Sequence, residues 1–171
     1  HPDTEQHCVA AVRMIFGNLR RAYDDGNDMA AREAMALASF YAGLAFTKAY
    51  VGYVHAFSHK LGGMYGVPHG LANAITLPYV LDFIKDAPLA RERLAKLAVV
   101  IGAGNASEPP DVLAQRFIDR VRELNHGVGI PEKVAALRPS DVPTVARAAM
   151  IEAARDYPVP KNMSLGEAET L

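Results

Sequence analysis

The sequence predicts an all-α fold. Apolar residues recur at threes and fours along almost the whole chain, and no stretch alternates apolar and polar residues long enough to read as a strand. The breaks between apolar runs are filled by glycine, proline, asparagine and aspartate, the residues that stop one helix and start the next. With 171 residues and 50% hydrophobic content, residues 1–171 are sized for a single domain with its own core. No internal repeat or low-complexity segment interrupts it.

The first helix is expected from Thr4 to Tyr23, where Cys8, Val9, Val12, Ile15, Phe16 and Leu19 share one side and Asp24-Asp25-Gly26-Asn27 ends the run. The second, from Asp28 to Lys48, carries Ala30, Ala34, Ala38 and Ala42 at intervals of four, a smooth stripe that lets a neighbour approach and is read as core. Gly52 then interrupts the pattern, so the segment from Ala49 to His59 is either a separate helix or a kinked continuation. A helix opened by Pro68 runs to Lys85, and Pro88 begins another that reaches Ile101 with Arg91, Glu92, Arg93 and Lys96 exposed.

The segment from Leu97 to Ser107 imitates a strand feeding a dinucleotide-binding glycine loop. Such a loop needs a helix directly after it to hold the pyrophosphate, and Ser107-Glu108-Pro109-Pro110 does not start one there. Gly102 is read instead as a helix C-cap. The next helix runs from Pro110 or Asp111 to Asn125 with Val112, Leu113, Phe117, Ile118, Val121 and Leu124 inward. Ser140-Asp141 is placed as the N-cap of the helix carrying Val145, Ala148, Ala149 and Ile151. Tyr157-Pro158-Val159-Pro160 reads as a connector, and Ser164 with Glu167 as a capping box for a last short helix.

Eighteen basic and nineteen acidic residues leave a net charge of −1 with no basic run, so nothing in the charge favours nucleic acid or an anionic membrane as partner. The longest uncharged run, Leu61 to Leu81, contains two prolines, four glycines and His69 and is read as a buried interior segment. The single cysteine, Cys8, cannot form an internal disulfide and suits a reducing cytoplasm, where it serves as a small buried hydrophobe. The N-terminus lacks the charged and apolar regions of a signal peptide, and the start at His1-Pro2-Asp3 without methionine reads as a piece of something longer.

The chemistry concentrates between Tyr53 and Tyr79. His55 and His59 are four apart, so they share one helix face, and His69 follows Gly62-Gly63-Met64-Tyr65-Gly66, read as a glycine-rich turn, at the helix start set by Pro68. Gly62, Gly63, Gly66 and Gly70 are read as permitting that turn and a close helix approach. Neutral imidazole is the commonest protein ligand for zinc and iron, which makes this spot a candidate metal centre. Ala56 stands where an H-E-x-x-H zinc peptidase keeps its general base, which disfavours that chemistry. Asn73 lies one turn beyond His69 and is placed to orient it.

The block VHAFSHKLGGMYGVPHGLANAITLPYVLDF resembles the C-terminal half of the iron-containing alcohol dehydrogenases. Every fixed position of H-A-x-x-H-x-L-G-x-x-x-x-x-P-H-G-x-x-N-A-x-x-L-P is matched from His55 through Pro78. The resemblance continues more weakly through AREAMALASFYAGLAF before it and through LNHGVGIPEKVAAL and VARAAMIEAARDYPVPKN after it, and so covers essentially the whole chain. It implies the helical C-terminal domain of the dehydroquinate synthase-like fold and a metal-dependent interconversion of alcohol and aldehyde. It further implies that His55 and His69 are two of four ligands to Fe2+ or Zn2+, and that His59 is the catalytic residue beside the metal.

By the same resemblance the other two ligands come from an upstream D-x-x-x-H motif, and NAD or NADP is held mainly by an N-terminal domain; both are absent from this chain. Asp3 and His7 have the D-x-x-x-H spacing but are read as ordinary residues near a helix start. No residue here is assigned to cofactor binding. The implied partners are a small alcohol or aldehyde and further copies of the same chain in a homo-oligomer. Two other readings stay open at this stage. One is a self-contained three-histidine zinc hydrolase or lyase, against which stands the lack of an acid between residues 53 and 79; the other is a non-catalytic helical binding module.

Overall fold

The computed structural model describes residues 2–171, which form eight α-helices and, among the described residues, no strand. They are α1 (Pro2–Asp24), α2 (Met29–Ala49), α3 (Tyr53–Tyr65), α4 (His69–Ile84), α5 (Pro88–Val100), α6 (Pro110–Gly127), α7 (Val142–Asp156) and α8 (Leu165–Thr170), with one 3-10 turn at Pro139–Asp141. Among the described residues no single helix is long and apolar enough to cross a membrane.

α1 and α2 form a hairpin whose turn is closed by Asp28, the N-cap of α2, which accepts from the Ala31 amide at 3.0 Å. The expected alanine stripe is corrected in register. Ala31, Ala38 and Ala45 are the buried positions of α2, while Ala34 and Ala42 are half-buried and Ala30 is exposed. A four-residue step drifts about 40° around a helix and a seven-residue step only about 20°, so residues seven apart hold one seam over about four turns.

Gly52 does mark a break. α3 is a separate helix turned 107° from α2, and the corner is made at Tyr50, which has φ +61°. α3 runs farther than the glycines foretold. Gly62 and Gly63 lie inside it, and only Gly66, with φ +66° as the left-handed C-cap, makes the turn. Gly63 and Gly70 face open space and need no small residue.

Two cores share the interior. The first is built by Tyr53, Ala56, Phe57 and Leu61 of α3, Ala72 and Val80 of α4, and Val145, Ala146, Ala149 and Ala153 of α7, with Ala168 of α8. The second holds Leu94 and Ala98 of α5 and Leu113, Ala114, Phe117, Ile118 and Val121 of α6, packed on Val12 and Phe16 of α1 and Leu77 and Leu81 of α4. Val112, expected inward, is 38% exposed; Ala114 takes its place in the core because the α6 stripe is centred on Phe117 and Val121. Of the expected polar face of α5, Glu92, Arg93 and Lys96 are exposed and Arg91 is half-buried.

The ends follow local chemistry. Gly102, with φ +74°, terminates α5, and the Ala103 amide reaches back to the Ala98 carbonyl at 2.8 Å, so the apparent nucleotide loop is a helix stop. Ser164 and Glu167 form the expected capping box. Asp141 immediately precedes α7 but does not cap it, because its carboxylate accepts from Tyr65 Oη at 2.6 Å and Arg138 Nε at 2.9 Å instead.

Pro78 sits inside α4 and cannot donate to the carbonyl of Ala74. Asn125 of α6 replaces the missing donor, its Nδ2 reaching that carbonyl at 2.7 Å. Asn125→Ala is therefore expected to destabilise the chain by about 1–3 kcal/mol, as judged by urea unfolding, by leaving a part-buried carbonyl unpaired. Pro78→Ala restores the backbone donor and should recover part of that loss. An Asn125→Ala penalty of the same size in both backgrounds would refute this account.

Candidate functional site

α3 turns one face, carrying Tyr53, Ala56, Phe57 and Leu61, into the first core, which leaves His55 and His59 on the side facing the start of α4. A buried polar contact fixes the two helices against each other behind the histidines, with Ser58 Oγ 3.2 Å from Thr76 Oγ1. Each hydroxyl also lies within hydrogen-bond distance of its own helix's carbonyl four residues back, Val54 O at 2.7 Å and Ala72 O at 2.8 Å. Local sequence gave no sign of this pairing.

The three histidines come together. Ring centroids are 5.2 Å apart for His55 and His69, 5.3 Å for His59 and His69, and 5.8 Å for His55 and His59. His55 is half-buried, whereas His59 and His69 are exposed, so the cluster opens to solvent in this chain. Burial, reinforced by the neighbouring His69 and His59 rings, pushes the His55 imidazole below its ordinary value and favours the neutral form that ligates a metal.

Two imidazoles bound about 2.1 Å from one ion in a tetrahedral arrangement place their ring centroids roughly 5 Å apart, a spacing met by His55 with His69 and equally by His59 with His69. The Asn73 side-chain amide lies 2.9 Å from His69 Nε2, where the sequence placed an orienting residue. Asn73 Oδ1 is buried without a partner. Among the described residues no three histidine, cysteine, aspartate or glutamate side chains form a closed cation site. These residues fit as part of a ligand set that needs donors from elsewhere.

His7 stacks on Tyr41 of α2, with centroids 5.6 Å apart and planes 16° apart, in keeping with an ordinary packing residue; the Asp3 side chain lies outside the described residues. Cys8 is half-buried, and burial, with Glu5 beside it, raises its thiol above the ordinary value. It is a packing residue of low reactivity.

Sequence reasoning missed the acid of this site. Glu152 comes from α7, 93 residues along the chain from His59, and its Oε1 lies 2.7 Å from His59 Nδ1. The same oxygen accepts from Tyr157 Oη at 2.6 Å, and Oε2 accepts from Lys60 Nζ at 2.5 Å. Burial pushes this carboxyl up, but the donors Lys60, Tyr157 and His59 outweigh it and hold the group at about 2. Burial and the adjacent carboxylate in turn push the Tyr157 phenol up to about 12, so it stays a donor. The signal available in the sequence was that Glu152 is the only carboxylate between Asp141 and Asp156, in an otherwise alanine-rich helix.

Comparison with known proteins agrees with the geometry. The profile of the Fe-containing alcohol dehydrogenase family, C-terminal, matches residues 1–171. The 1,3-propanediol dehydrogenase of Klebsiella pneumoniae is 38% identical over 152 residues, which are 88% of this chain and 39% of that protein. A crystal structure of 1,3-propanediol oxidoreductase superposes with a TM-score of 0.93 at 34% identity, covering 99% of this chain and 44% of that one. A sulfoacetaldehyde reductase from Bifidobacterium kashiwanohense, crystallised in complex with NAD+, gives a TM-score of 0.82 at 27% identity over 99% of this chain and 43% of that one. The chain thus spans about two fifths of the length of these relatives. From the fold and these matches together, the chain belongs to the iron-containing alcohol dehydrogenase family, as its C-terminal helical part.

Proposed function

We propose that this chain is the metal-binding part of an NAD(P)-linked alcohol dehydrogenase, which interconverts small alcohols and aldehydes by hydride transfer in the cytoplasm. The observation that carries the reading is the histidine cluster at the junction of α3 and α4, with His55 and His69 at a spacing that suits one shared ion. In this reading His55 and His69 supply two ligands to Fe2+ or Zn2+. The remaining ligands, in D-x-x-x-H spacing, and the nucleotide-binding domain lie outside these 171 residues. The NAD+ held by the related reductase supports a nicotinamide as hydride carrier.

When bound, the ion supplies Lewis acidity that lowers the pKa of the alcohol hydroxyl. His59 stands beside the ligand pair and takes the proton that this hydroxyl releases. Lys60 and Tyr157 hold Glu152, and Glu152 holds the His59 ring. The three-histidine hydrolase reading has less support. The acid it needs is now at hand in Glu152, but both oxygens of that carboxylate are already engaged by donors, which suits orienting a ring better than activating a water.

Calorimetric titration of the chain with Zn2+ or Fe2+ tests the assignment. A partial ligand set should bind weakly and with a pH dependence, because both imidazoles must be neutral, and the chain alone should show no NAD-linked alcohol oxidation. Tight stoichiometric binding that survives His69→Ala would sink it.

A further inference from the structure

The Glu152 network has no role in holding a metal and lies outside the sequence pattern that marked the site. We propose that Glu152 is a positioning residue for His59, fixing which ring nitrogen is free to take a proton; this rests on the dehydrogenase reading above.

Both carboxylate oxygens of Glu152 are engaged. Three donors converge on it, two from α3 and one from the segment after α7: His59 Nδ1 at 2.7 Å, Lys60 Nζ at 2.5 Å and Tyr157 Oη at 2.6 Å. A carboxylate held by three donors, one of them an ammonium, is ionised, and an ionised carboxylate only accepts. A neutral His59 can therefore face it only with the proton on Nδ1, which leaves the lone pair on Nε2. Lys60 Nζ provides the positive charge that compensates the Glu152 carboxylate.

The contact is more than a surface ion pair. The Glu152 side chain is only 12% exposed and accepts from the Tyr157 hydroxyl, whereas His59 is 42% exposed and opens toward the other two histidines. The anchored partner is the carboxylate, and the ring it orients faces the reaction space. In the forward reaction the alcohol O–H bond breaks and the C=O bond forms as the hydride leaves its carbon for NAD(P)+, the oxidant of the proposed reaction. The proton from oxygen goes to His59 Nε2, and Glu152 stabilises the imidazolium that results, so no further oxidant or base is required.

The test reads the tautomer directly. Long-range 1H–15N correlation spectra of the 171-residue chain, at mildly alkaline pH and with the His59 ring picked out from the six by His59→Ala, should show His59 as the Nδ1–H form. Glu152→Leu, with an unchanged circular dichroism spectrum, should lose that preference. His59 found as the Nε2–H form in the unmodified chain would overturn the proposal, and this arm needs no variant at Glu152 to fold. An unchanged tautomer in folded Glu152→Leu would overturn it equally.

In an active dehydrogenase carrying this chain, Glu152→Gln should lower kcat about 10- to 100-fold while KM and metal content stay near the parent values. An unchanged kcat in that enzyme would refute the positioning role. Lack of any dehydrogenase activity in the parent, with the Nδ1–H tautomer present, would instead reject the proposed function and leave the geometry of the dyad standing.

Discussion

In a complete dehydrogenase that carries this chain as its C-terminal part, His55→Ala and His69→Ala are expected to lose metal and turnover together, whereas His59→Ala keeps the metal and loses only rate. The first two changes each remove one imidazole from a set of about four ligands, which leaves the ion held by the remainder and by water. Turnover should fall to background, because the acidity of the substrate hydroxyl depends on the ion. The third change removes a proton acceptor, and loss of a positioned acid or base costs typically about 10²- to 10⁴-fold in rate. Metal content by atomic absorption, read beside NADH formation for all three variants, separates the roles. If His59→Ala loses its metal while His55→Ala retains both metal and activity, the division of roles is wrong.

Phe117→Ala is expected to be the most damaging core substitution. Phe117 is 5% exposed on α6 and meets Phe16 of α1 at 5.7 Å between ring centroids, within the cluster that also holds Leu94 and Ala98 of α5. Truncation forfeits the transfer free energy of the ring and leaves a cavity lined by three helices that are anchored elsewhere and cannot close over it. The loss should be about 3–5 kcal/mol, a large part of the roughly 5–15 kcal/mol that holds a typical domain together. Urea unfolding at neutral pH measures it directly. A loss under about 1 kcal/mol would mean that α1 and α5 collapse onto the vacated space.

The histidine cluster was legible because its information is local. An offset of four on one helix, then a proline that starts the next helix, brings His55, His59 and His69 to one place whatever the rest of the chain does. The helix stops at Gly102 and the capping box at Ser164 were legible for the same reason. The Glu152 dyad, the Ser58 and Thr76 contact and the replacement donor Asn125 were not, since each joins residues on different helices whose pairing is set by tertiary packing. The buried seam of α2 was misread by a related cause. Alanines at intervals of four and at intervals of seven both occur there, and only the partner helix decides which set it covers.

α4 belongs to both cores at once. Ala72 and Val80 face the first, Leu77 and Leu81 face the second, and His69 stands at its N-terminus. A helix gripped on two sides behaves as a crankshaft, unable to answer a change on one side without turning on the other. A rotation of about 10° carries a side-chain tip about 6 Å from the axis through an arc of about 1 Å. Misplacement on that scale can cost about a hundredfold in rate. Repacking around Leu77 or Leu81, remote from any reacting atom, thereby acquires a mechanical route to the imidazole of His69, and selection on the chemistry extends to side chains that never meet the substrate.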